Sequence, residues 1–127
     1  MAKWANDNFM DASLTWLQDN GKKQCVLTAQ PTLLSQCTAS TVLAIVALTT
    51  GSFSLANGDA SGRKITIAQQ ATLAVQSTGD ASHIAIFSTA AGSSGLHYIT
   101  TCSAVTLAST NDKVTIPAWD IEVSDPS

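Results

Sequence analysis

Between residues 8 and 20 the apolar residues Met10, Leu14 and Leu17 recur at i, i+4 and i+7 with Trp16 beside them, which predicts an amphipathic helix. Asp7 or Asn8 is placed to cap its start, Gly21 to end it, and Lys22 and Lys23 lie where the helix dipole is negative. Beyond this point the period changes to two. Residues 24–29, with Val26 and Leu27, predict a short strand broken at Gln30-Pro31-Thr32, where a helical turn through Gln36 follows. Residues 41–50 form the longest apolar run, and Thr41, Val42, Ile45, Val46, Thr49 and Thr50 favour a strand over a buried helix because they branch at Cβ. Residues 51–62 contain Asn57-Gly58-Asp59-Ala60-Ser61-Gly62 and predict a loop.

Residues 64–68, 72–76 and 82–88 alternate, pairing Ile65 with Ile67, Leu73 with Val75, and Ile84 with Ile86 on single faces. Turns are expected at Thr78-Gly79-Asp80 and at 91–95, and strands at 96–102, 105–108, 113–116 and 119–123. About seven to nine short strands with frequent turns predict a mostly β chain, an antiparallel sandwich or barrel of jelly-roll or immunoglobulin-like type, with one N-terminal amphipathic helix. All 127 residues are expected to form one domain, with residues 1–23 as an N-terminal arm and helix. The chain is 45% apolar, enough for a core. Its longest apolar run, about eight residues, is far short of the ~20 a membrane span needs, so a soluble protein without a membrane partner is expected. Residues 1–7 lack the apolar run of a signal peptide, which places synthesis in the cytoplasm.

Charge narrows the partners. A net charge of −3 with six Lys and Arg lacks the counterion release that drives nucleic-acid binding, and none is expected. Charged residues make up 12% of the chain, against a globular average of about 25%. A surface of short, uncharged side chains loses little entropy on docking and suits a protein packed against neighbours.

Chemistry is sparse. Cys25, Cys37 and Cys102 are an odd count without metal spacing, and are expected as buried small hydrophobes. His83 and His97 have no carboxylate or cysteine at ligand spacing, and a Cys102–His97 dyad on one strand would point to opposite faces. Asn57, Asp59 and Ser61 offer one carboxylate, too little charge for calcium. Asp120, Glu122 and Asp125 have no basic neighbour in sequence and are expected as an acidic edge facing solvent or a subunit. No dinucleotide, phosphate-loop, serine-hydrolase or zinc motif occurs, so no enzyme activity, catalytic residue, metal ligand or cofactor is expected. Arg63, the sole arginine, is placed to orient the 58–62 loop or to reach a neighbouring subunit's carboxylate.

The chain resembles a family of small tailed-bacteriophage virion proteins across nearly its whole length. The resemblance is carried by the helix from Trp4-Ala5-Asn6-Asp7 through Trp16-Leu17, by Cys25 with Ala29-Gln30-Pro31, and by Asp59-Ala60-Ser61-Gly62-Arg63-Lys64. It continues in Ala81-Ser82-His83-Ile84-Ala85, Leu96-His97-Tyr98-Ile99-Thr100 and Ile116-Pro117-Ala118-Trp119-Asp120-Ile121-Glu122, closing on Asp125-Pro126. It implies a structural virion protein assembled in the host cytoplasm: a capsid decoration or cement protein that binds and bridges major capsid protein subunits, with other virion subunits and copies of itself as further partners. The alternative it leaves is a tail, collar or fibre-associated protein, structural or binding a receptor or carbohydrate, for which Trp119, Tyr98 and Trp4 offer sugar platforms. Trp4, Phe9, Trp16, Arg63 and Trp119 are the residues expected at the protein interface.

Overall fold

The structure is a computed structural model that describes residues 4–38 and 42–125. Its elements run α1 (Asp7–Asn20), β1 (Lys23–Leu27), β2 (Val42–Ala47), β3 (Phe53–Asn57), β4 (Arg63–Ile67), β5 (Gln70–Ala74), β6 (Gly79–Ser88), β7 (Gly95–Leu107), β8 (Lys113–Ile116) and β9 (Trp119–Val123), with 3-10 turns at Leu34–Cys37 and Thr50–Ser52. Three sheets form, ordered β2-β1-β6-β7, β3-β4-β9 and β5-β8, and every pairing is antiparallel. The result is a mostly β sandwich with one N-terminal helix, and its sheets keep open edges instead of closing into a barrel. No helix among the described residues is long and apolar enough to cross a membrane.

The cap of α1 is Asn6, one residue before Asp7 and two before Asn8: it stays extended and its Oδ1 accepts the Asn8 N–H at 2.8 Å. Gly21 ends the helix without a left-handed turn, at φ −78°. It is glycine for want of room, since a Cβ would lie 2.8 Å from both Ile86 Cγ2 and the Leu17 carbonyl oxygen. Met10, Leu14 and Leu17 are buried as the period requires. At roughly 1.5–3 kcal/mol each, they contribute up to about 5–9 kcal/mol, so the helix is part of the body and not a loose arm.

Several strand limits differ from the sequence reading. The segment 51–62 is not all loop: Phe53 and Leu55 alternate inward, and β3 pairs along its length with β4. Gly79 and Asp80 do not turn but begin β6, and the two expected strands at 96–102 and 105–108 are one strand, β7. Strand β5 begins two residues earlier than expected, which leaves Val75 buried just beyond it. Thr41, the expected first residue of the second strand, lies outside the described residues.

Alternation then distributes the core. Leu14 and Leu17 of α1 pack with Phe53, Ile65, Ile67, Leu48 and Ile86 at one end of the sandwich. Val26, Leu43, Ala81, Ile84 and Leu107 meet Val75 and Ile116 at the other. The opposite face of the four-stranded sheet is covered by the β1–β2 connection, where Cys25, Leu27, Val42, Ala85 and Phe87 surround Cys37.

Candidate interaction surfaces

Helix α1 carries a second apolar stripe beside its buried one. Phe9 and Trp16, seven residues apart, share a helical face, and Trp4 precedes it; they are 78%, 50% and 73% exposed. Trp16 is steadied by an edge-to-face contact with His97 of β7, ring centroids 4.8 Å apart, while His97 Nε2 lies 3.0 Å from the Ser93 carbonyl. Trp4 and Phe9 are large apolar side chains standing in water on a rigid support.

At the far end of the three-stranded sheet, the 58–62 loop closes on itself through Gly58 N–H to the Gly62 carbonyl, 2.9 Å. Gly62 takes φ +73°, and a Cβ there would overlap the Val123 carbonyl. Arg63 donates from Nε to Asp11 at 2.8 Å and from Nη1 to Asn57 at 2.7 Å, so it ties the loop's start to α1. Asp120 and Glu122, without a basic neighbour in sequence, find partners across the sheet. Lys64 lies 3.3 Å from Asp120 and 2.7 Å from Asp59, the Thr66 hydroxyl donates to Asp120 at 2.7 Å, and Glu122 accepts the Asp59 N–H at 2.8 Å. The Thr66 hydrogen bond, aided by Lys64, holds the Asp120 carboxyl below the usual carboxylate range. This corner is an internally matched polar network.

Trp119 stands apart from the helix aromatics. It lies against both core clusters, its ring 5.8 Å from that of Tyr98, and borders a cavity of about 590 Å³. Val26, Ile84, Val105 and Ile116 give this cavity an apolar lining, and Thr100, Ser103, Thr115 and Asp120 add polar groups. Trp119 Nε1 is buried without a hydrogen-bond partner among the described residues. Trp119 is partly exposed and forms part of the cavity wall.

Of the five interface residues expected, the structure therefore groups Trp4, Phe9 and Trp16 on or beside one helix. It links Arg63 to that helix through Asp11, and places Trp119 at the cavity. The sequence reading missed the cavity and exposed Val105 (47%), which depend on which edges the sheets leave open, and exposed Leu33 (62%) in the β1–β2 connection. The thiols are buried as expected for Cys25 and Cys37, which touch, and burial pushes both up; Cys102 is half-buried and also raised. Among the described residues no three His, Cys, Asp or Glu side chains converge as metal ligands. No family model matches the chain, and no curated protein or solved structure matches it.

Proposed function

We propose that this chain is a structural protein of a tailed-phage particle, a capsid decoration or cement protein that docks on major capsid protein subunits and bridges them. The observation that carries the reading is the aromatic stripe. Trp4, Phe9 and Trp16 are the large, rigid side chains that dominate protein interfaces, and Phe9 and Trp16 project from a helix fixed to a sandwich, with Trp4 just before it. A clamp across capsomer joints needs this combination: a stiff body that transmits load and an apolar anchor that buries area on a neighbour. The low charge of the chain and the internal matching of Arg63, Lys64, Asp120 and Glu122 leave few strong charges to steer a polar ligand.

The test is co-sedimentation of the purified chain with purified shells and tails, read as copies bound. Saturation at hundreds of copies per shell supports the cement role. A few to a dozen copies per particle moves the chain to the tail, collar or fibre. Binding to neither overturns a virion role and turns attention to glycans at Trp119.

A further inference from the structure

We propose that the free edge of β7 pairs with β7 of a second copy of this chain, antiparallel across a two-fold axis, joining two four-stranded sheets into one. The first observation is the shape of the cavity beside it. Thr100, Thr101, Cys102 and Ser103 all border it. Successive residues of a strand point to opposite faces, so four in a row border one cavity where it reaches the strand's edge or where a bulge breaks the alternation, as the register shift between Ala81 and His83 does opposite residues 102–104. Strand β7 is last in its sheet, it pairs only with β6, and its outward backbone has no hydrogen-bond partner among the described residues.

The second observation is that this edge lacks chemical protection. Proteins that stay monomeric blunt long edges with charge, proline, a covering segment or bulges, and of these β7 has only its two register shifts. The 13 residues Gly95–Leu107 contain no Lys, Arg, Asp, Glu or Pro. Two other edges are treated differently: β9 carries Asp120 and Glu122, and β2 is met by the Gln76 N–H, which donates to the Leu43 carbonyl at 2.7 Å; β3 and β5 are as uncharged as β7 but only five residues long. Two register shifts in the β6–β7 ladder leave Tyr98 to Thr101 regularly paired between them, the straight stretch on which an axis can sit.

The occupant follows from the same composition. Across a two-fold axis each residue near the centre faces its own copy, so any charge there would repel itself. Strand β7 has none, and its Ile99, Thr100, Thr101, Val105 and Thr106 are the β-branched types that pair well across strands. A strand built for a different, charged partner would show a complementary charge.

Sedimentation velocity of the full chain from roughly 1 μM to 1 mM reads the equilibrium directly. The expected result is a monomer–dimer equilibrium that Thr101→Lys weakens by about tenfold or more, because it sets like charges against one another beside the axis. Ser54→Lys, on the exposed face of β3, is expected to leave it unchanged. Circular dichroism confirms that each variant is folded. Amide exchange on the unaltered chain needs no variant: protection in 98–106 is expected to rise with concentration. A chain monomeric throughout this range overturns the pairing, as does a dimer indifferent to Thr101→Lys. A monomer that still binds shells overturns the pairing alone and leaves the docking role standing.

Discussion

Gln24 lies fully buried on β1 between Val46 and Ile86, and neither end of its amide has a hydrogen-bond partner among the described residues. A buried polar group left unpaired costs roughly 1–3 kcal/mol. Gln24→Leu, which keeps the volume and removes both polar atoms, is expected to stabilise the chain by about 1–2 kcal/mol, raising Tm by several degrees in a thermal melt. An unchanged or lowered Tm would mean that the amide is bonded in solution. Asp120 argues the opposite way. Its folded carboxyl holds a proton less tightly than the unfolded one, so its contribution is present above the ordinary carboxylate pKa and lost as pH falls through the lowered value. Asp120→Asn is expected to lower stability slightly from neutral to alkaline pH and to change little at the acid end, so that the acid limb of a stability–pH curve flattens. The carboxylate is about a third exposed, which keeps the effect small.

At the scale of elements, the seat of α1 is set by one position. Gly21→Ala would drive a methyl into Ile86 and into the Leu17 carbonyl, a backbone atom that cannot move aside. The expected loss is about 1–3 kcal/mol in chemical denaturation, with helix content reduced. A neutral outcome would show that the helix shifts freely on the sheet. The period of Met10, Leu14 and Leu17 was legible because it reflects one helix meeting one surface. Strand β3 was not: Phe53 and Leu55 supply only two inward positions, inside a segment otherwise rich in small and turn-forming residues. The union of residues 95–107 into one strand was equally hidden, since Ser103 and Ala104 carry no pattern and the long β6 alongside imposes the extension.

For the whole molecule, docking and stability separate by residue. Trp4 and Phe9 are mostly in water, so Trp4→Ala and Phe9→Ala are expected to leave Tm nearly unchanged while weakening shell binding roughly tenfold to thirtyfold each in the co-sedimentation assay. Ile65→Ala, in the core beneath, is expected to cost about 2–5 kcal/mol of stability instead. Equal shell binding by the two surface variants would remove the helix from the interface.

The chain's own pattern determined the mostly β antiparallel architecture, the N-terminal helix with its buried stripe, and the limits of β8 and β9. All of these follow from local periodicity and turn chemistry within a few residues. Tertiary structure alone decided which strands stand at edges. That choice opened the cavity beside Trp119, exposed Val105, gave Lys64 to Asp120 and Arg63 to Asp11, and brought Cys25 to Cys37. Each of these joins residues distant along the chain, and contacts of that kind are set by sheet order, which residue spacing does not encode.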